Sequence, residues 1–204
     1  MRIIAGAQRG LTLAEVGAGD PAAHLRPTSD RMREALFNVL LGGRYGDPVG
    51  DARVLDLFAG TGALGLEALS RGAHHATFVD DGKVAQRLIR DNIGRTKRAG
   101  DAVLLAVNAT RLPPNNGAPF TLIFLDPPYG KGLGLLALQS ALKGGWIGPD
   151  ALLVWEENAP QPAPLGFLPL EVRRQGETYL TLLRATFKLS VLVKAVVAPK
   201  SGPL

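Results

Sequence analysis

From residue 54 onward, short apolar runs of strand character alternate with longer segments whose apolar residues recur at helical spacing. Residues 54–58, 76–79, 103–107, 122–125 and 151–155 read as strands, and 63–71, 83–99 and 133–142 as helices. This alternation predicts βαβ units, hence an α/β fold with a mostly parallel sheet and helices on both faces. Gly72, Gly100, the run 113–117 and Gly144-Gly145 separate the elements, and a closing pair of strands is expected at 168–174 and 179–184. The preceding residues differ in pattern. Strand-like pieces at 2–5 and 11–14 lead through a loop to one helix at about 30–41, where Met32, Leu36, Val39 and Leu40 form an apolar stripe able to dock on the sheet. Thr28, Ser29 and Asp30 offer its N-cap. The expected division is an appendage over 1–45, a main domain over 46–186 and an extension over 187–204, to which the pattern assigns no role.

With 204 residues, 46% hydrophobic and 20% charged, the chain fits one core. No apolar run approaches the roughly 18 residues of a membrane span. Residues 1–6 lead straight into Gly-rich sequence without the apolar stretch and cleavage site of a signal peptide, so a cytoplasmic location is expected. The absence of cysteine excludes disulfides, thiolate metal sites and a cysteine nucleophile. His24, His74 and His75 are too few and too unfavourably placed for a metal site and read as surface or turn residues. The net charge of +5 and the basic pI favour polyanionic partners without requiring them.

Leu55-Asp56-Leu57-Phe58-Ala59-Gly60-Thr61-Gly62-Ala63-Leu64-Gly65 sets a Gly-x-Gly-x-x-Gly pattern between a strand and a helix. Glycines there tighten the turn, admit a ligand against the backbone and bring the helix close to the strand, and the helix N-terminus offers unpaired N–H groups. Asp80 ends the next strand, 20 positions beyond Gly60, where a carboxylate can accept from ribose hydroxyls. The pattern alone does not separate a nicotinamide dinucleotide from S-adenosylmethionine. Asp56 leans towards the second, because a carboxylate repels pyrophosphate and attracts a sulfonium or ammonium. The lesser alternative is that it merely fixes the loop by hydrogen bonding.

The apolar run 122–125 enters Asp126-Pro127-Pro128-Tyr129. Ligands of open α/β sheets bind outside the carboxyl ends of strands, so this corner is expected to face the same crevice as the glycine loop. The prolines stiffen the turn, leaving the Asp126 carboxylate and the Pro127 carbonyl to accept from an exocyclic amine. Tyr129 offers a ring for a base to stack on. Arg26, Arg31 and Arg33 crowd the entrance of the first helix, either as a solvated basic end or as a contact with phosphates.

Arg26-Pro27-Thr28-Ser29-Asp30-Arg31-Met32-Arg33-Glu34-Ala35-Leu36-Phe37-Asn38, the glycine segment continued through Leu66-Glu67-Ala68-Leu69-Ser70-Arg71-Gly72, and Asp126-Pro127-Pro128-Tyr129 resemble the bacterial RsmD family of small-subunit ribosomal RNA guanine-N2 methyltransferases, a likeness covering nearly all of residues 1–184. The resemblance implies a Rossmann-like class I S-adenosylmethionine-dependent methyltransferase fold with a small N-terminal β-hairpin and helix. It also implies methylation of one guanine N2 in 16S ribosomal RNA during small-subunit assembly. A chain this small has little surface for reading a whole RNA fold, so a small-subunit assembly particle, met by a monomer, is the expected substrate. Under that likeness Asp56, Phe58, Ala59, Gly60, Thr61 and Gly62 line the cofactor site, Asp80 holds the ribose, and Asp81, Asn108 and Ala109 also bind the cofactor. Asp126, Pro127, Pro128 and Tyr129 hold the guanine, and Arg9, Arg26, Arg31 and Arg33 meet RNA. Two positions depart from the family pattern: Leu11 stands where a basic residue is usual, and Asn108 where an acidic one is. Asn108 can still give and accept hydrogen bonds at an adenine edge. Other readings are the same chemistry on DNA adenine or a protein glutamine amide, a nicotinamide-dependent dehydrogenase, and an RNA-binding assembly factor without turnover.

Overall fold

The computed structural model describes residues 1–16 and 29–187. Helix α1 (Asp30–Leu40) precedes a series of strands and helices: β1 (Arg53–Leu57), α2 (Ala63–Ser70), β2 (His75–Val79), α3 (Lys83–Thr96) and β3 (Ala102–Leu105). A 3-10 turn (Ala109–Arg111) follows, then β4 (Phe120–Leu125), α4 (Leu133–Lys143), β5 (Ile147–Glu157), β6 (Phe167–Gln175) and β7 (Thr178–Ala185). The strands form one seven-stranded sheet in the order β3-β2-β1-β4-β5-β7-β6. The first five are parallel, and β7 lies antiparallel between β5 and β6.

Both faces of the parallel part are covered, so its central strands are apolar almost without interruption: Val54, Leu55 and Leu57 in β1 and Leu122–Leu125 in β4 are buried. One core joins α1, α2 and α3 to the sheet through Leu36, Phe37, Leu40, Leu66, Leu69, Ile89 and Ile93. The other places Ala137, Leu138 and Ala141 of α4 against the opposite face. This is the mostly parallel α/β layout that the alternation predicts, in the Rossmann-like form that the resemblance implies. Two boundaries differ. Helix α3 stops at Thr96 because Lys97 turns left-handed and Arg98 N–H closes back on Ile93, a glycine-type ending without glycine. Strand β5 starts before residue 151, since its pairing with β4 shifts register between Phe120 and Leu122 and absorbs Gly148 to Asp150. No helix among the described residues is long and apolar enough to cross a membrane.

The expected hairpin is reduced to one bridge, Arg2 opposite Thr12, with flanking backbone bonds from Ile3 to Leu11 and from Gly10 to Ile3. It lies along α2 and is held by that helix's polar side chains. The buried Glu67 carboxylate accepts from Ile4 N–H at 2.8 Å, Ala5 N–H at 3.0 Å and Arg71 Nε at 2.7 Å. Ser70 accepts from Gln8 N–H and donates to the Ala5 carbonyl. At the other end, Asn92 of α3 accepts from Ala14 N–H and donates to the Ala14 and Thr61 carbonyls. A Cβ on Gly6, which has φ +83°, would fall 1.8 Å from the Ser70 carbonyl oxygen, so only glycine permits this approach.

Glu67→Ala strips these backbone donors and Arg71 of their shared acceptor. Urea unfolding is expected to show a loss of about 3 kcal/mol, with faster amide exchange at Ile4 and Ala5.

Candidate active site

Leu57 pairs with Val79 on one side and Leu125 on the other, so β1, β2 and β4 end level. The segments that follow them, Phe58 to Gly62, Asp80 to Gly82 and Asp126 to Tyr129, therefore leave the sheet at one edge. They line a single cavity of about 1010 Å³. Phe58, Gly60 and Gly62 all have positive φ, and Gly62 N–H bonds to Ala59 at 2.7 Å, which folds the loop tightly around the start of α2. The third glycine of the pattern is required by packing. A Cβ on Gly65 would lie 2.4 Å from the Phe78 ring and 3.2 Å from the Asp56 carboxylate.

Asp56 is 1% exposed and accepts from Gly65 N–H at 3.0 Å, so it anchors the first turn of α2 while also lining the cavity. Burial pushes its carboxyl up to about 8; the Gly65 bond opposes this, and the nearby Asp80 charge adds to it. A cation placed in the cavity would draw the proton off. Asp80 binds both sides of the loop, one oxygen accepting from Gly60 N–H and the other from Gly82 N–H, each at 2.9 Å. Burial raises its carboxyl as well, against those two bonds. Each carboxylate oxygen keeps a second lone pair for a ligand hydroxyl.

Across the cavity, Asp126 N–H meets the Leu57 carbonyl at 3.4 Å, which ties the proline corner to β1. Pro127 is buried, and the Tyr129 hydroxyl lies 2.7 Å from Glu156 on β5, which fixes the ring at the cavity wall. Glu157 accepts from Gly130 and Asn158 N–H and steadies the end of the turn. Ser29 and Met32 of α1 and the β6–β7 turn from Gln175 to Thr178 complete the rim.

Of the residues singled out in the sequence, Asp56, Phe58, Ala59, Gly60, Thr61, Asp80, Asp81, Asp126, Pro127, Pro128 and Tyr129 all line this cavity. Gly62 caps α2 beneath it, where an added Cβ would press on Phe78 at 3.3 Å. Asn108 and Ala109 do not line it. Asn108 donates to Asp81 at 2.7 Å and accepts from Thr110, and Ala109 is buried in the core beneath the sheet.

The arginines separate from one another. Arg26 lies outside the described residues. Arg33 is corrected: it is fully buried, paired with Asp30 at 2.8 Å and bonded to the Arg2 carbonyl, so it secures α1 to the N-terminal segment and cannot face a phosphate. Arg9 is exposed, but at the hairpin tip beside Ser70, a helix length of roughly 12 Å from the glycine loop. Arg31 is exposed between the rim residues Ser29 and Met32. His75 is also corrected from surface to β2, where its ring packs on Phe120 and bonds Thr77, and burial lowers its pKa. Glu156, Lys83, Lys131 and the 175–178 turn were missed. Lys131 follows Tyr129 by two positions and was legible as part of that corner; Glu156 is apparent only from the pairing of β5 with β4.

Residues 1–184 match the family model described as Conserved hypothetical protein 95. Ribosomal RNA small subunit methyltransferase D of Escherichia coli (strain K12) is 39% identical over 165 residues, covering 80% of this chain and 78% of that protein. The protein of the same name from Haemophilus influenzae is 34% identical over 166 residues, covering 79% and 81%. The solved structure of yhhF from Escherichia coli superimposes with a TM-score of 0.77 at 34% identity, covering 92% of this chain and 99% of that one. The fold is the class I Rossmann-like fold of methyltransferases.

The raised carboxyl of Asp56 carries a signature in stability. Between its ordinary 3.8 and about 8 the folded protein holds a proton that the unfolded chain has lost. The contribution is therefore complete below about pH 4, declines by up to about 1.4 kcal/mol per pH unit as pH rises, and is gone above about 8. Asp56→Asn, which keeps an acceptor for Gly65, is expected to remove that component in urea titrations across this range.

Proposed function

This chain belongs to the family described as Conserved hypothetical protein 95, and from that premise we propose that it methylates the exocyclic N2 amine of a guanine in small-subunit ribosomal RNA, with S-adenosylmethionine as donor and a partly assembled small-subunit particle as substrate. The observation that carries this reading is the single cavity lined by both the glycine loop and the Asp126 corner. Its volume of about 1010 Å³ reaches the upper end of ordinary ligand pockets, enough for a nucleoside cofactor and a flipped base together. The names of the relatives support the rRNA substrate.

The chain's donor set fits the cofactor. Asp80 accepts from ribose hydroxyls with the lone pairs its backbone bonds leave over, and Asp56 offers a buried carboxylate to positive charge. A pyrophosphate would leave Asp56 protonated and gain no attraction from it, which favours the cationic cofactor over the nicotinamide reading. When bound, S-adenosylmethionine supplies a methyl group activated by a sulfonium. The Asp126 carboxylate and the Pro127 carbonyl hold the two hydrogens of the guanine amine and turn its lone pair out of conjugation towards the donor, so the contribution is one of alignment. Asp126 need not act as a strong base, because the nitrogen becomes acidic on methylation and releases its proton readily. Tyr129, steadied by Glu156, presents its ring to the base.

Mass spectrometry of small-subunit RNA from cells lacking this protein tests the reading, with loss of one N2-methylguanine expected and unchanged methylation counting against it. In vitro, inosine at the target position removes the accepting amine and is expected to abolish transfer. Asp126→Ala is expected to lower turnover by about 10²–10³-fold while leaving S-adenosylhomocysteine affinity, read by calorimetry, nearly unchanged.

A further inference from the structure

The cavity is lined by Asp56, Asp80, Asp81, Asp126, Glu156 and Glu177 against two lysines, Lys83 and Lys131. Such a lining suits a cationic cofactor and an amine, and it repels phosphate. The backbone flanking an extruded nucleotide must then be held outside the cavity by cations that begin at its mouth. Helix α3 begins there. Lys83, Arg87, Arg90, Gly94 and Lys97 stand at i, i+4, i+7, i+11 and i+14 and are all exposed, forming one stripe roughly 21 Å long. Lys83 is itself part of the cavity lining.

Two observations bear on this stripe. It is continuous along one helix face, whereas the other exposed arginines are either paired, as Arg2 is with Asp30, Arg44 with Glu171 and Arg95 with Asp91, or stand singly on different elements, as Arg9, Arg31, Arg111 and Arg174 do. Among the described residues, Lys83, Arg87, Arg90 and Lys97 have no ion pair. The first turn of α3 also holds Lys83 and no acidic residue, although the positive end of a helix favours the opposite charge. At the middle position, a side chain on Gly94 would meet nothing within 4 Å, so the glycine leaves the surface low where packing does not demand it.

We infer that the exposed stripe of α3, from Lys83 to Lys97, is the surface that holds the RNA sugar-phosphate backbone leading away from the target guanine. The inference rests on the function proposed above and names its nucleic-acid contact. Phosphate contacts position and carry no sequence information, so the stripe governs affinity and salt dependence while the cavity governs chemistry.

The test uses the full chain carrying Arg87→Gln and Arg90→Gln together, with small-subunit particles from cells lacking the protein as the probe. The slope of log affinity against log salt is expected to fall in magnitude by about 1.4–1.8, and KM for the particles to rise, with kcat at saturation and S-adenosylhomocysteine affinity unchanged. Arg95→Gln, which removes an ion-paired neighbour off the stripe, is expected to leave the slope as it is. A double variant with the wild-type slope and KM overturns the inference alone, as does an equal loss in Arg95→Gln. A wild-type protein that neither binds nor methylates the particles overturns it together with the proposed function.

Discussion

Leu57 stands opposite Val79 and Leu125 at once, and everything at the cavity follows from that levelling of three parallel strands. Side chains alternate along a strand, so a slip of one residue in either pairing would exchange the side chains that fill the two cores, Val54, Leu122 and Phe124 on one face and Leu55, Leu57, Ile123 and Leu125 on the other. It would also carry Asp80 or Asp126 out of line with the glycine loop. Val54 to Leu57 and Leu122 to Leu125 are buried on both faces, so each side chain is fitted into one of two packed cores and Asp56 has one position in which it meets Gly65. The proline corner thus stands on a rigid base, the buried centre of the sheet.

Asp56 shows how one carboxylate can serve the fold and the site together. It tethers α2 through Gly65, the structural role that its position allowed, and it lines the cavity with a proton that burial forces it to keep. These roles are compatible because the protonated acid still accepts from Gly65 through one oxygen. A cationic ligand relieves the cost of ionising the group, so charge complementarity appears at the moment of binding and a permanently buried anion is avoided.

The parts legible in the sequence were those whose chemistry is local. The glycine segment, Asp80 and the proline corner carry their geometry in adjacent residues, and strand ends follow from where an apolar run stops. What depended on packing was not legible. Arg33 reads as one of a basic trio until α1 turns its face inward and Asp30 claims it. Arg9 stands at the tip of a hairpin whose direction is set by Glu67 and Ser70 some 60 residues later in the chain, as the separations of those bonds show. Asn108 was read as facing an adenine, whereas it lies off the cavity lining with its amide bonded to Asp81 and Thr110. The stripe on α3 is visible as a 3.6-residue period, but its meaning needs the positions of carboxylates that come from elsewhere in the chain.

The N-terminal segment makes the hairpin, α2 and the glycine loop one mechanical unit. Asn92 holds the Ala14 carbonyl and the Thr61 carbonyl with the same amide, so the end of the hairpin and the glycine loop at the cavity are fixed by a single buried side chain. Glu67 and Ser70 fix the hairpin's other end. Loosening either anchor therefore reaches the cavity through backbone and not through charge. This separates two kinds of effect that variants here can have: changes on the brace alter loop order and stability, whereas changes on the outer face of α3 leave the sheet, the brace and the cofactor loop untouched. The division suits the proposed function, which asks for a small cofactor held rigidly and a large substrate accommodated. The first task falls to buried hydrogen bonds, and the second to exposed charge that water and salt can screen.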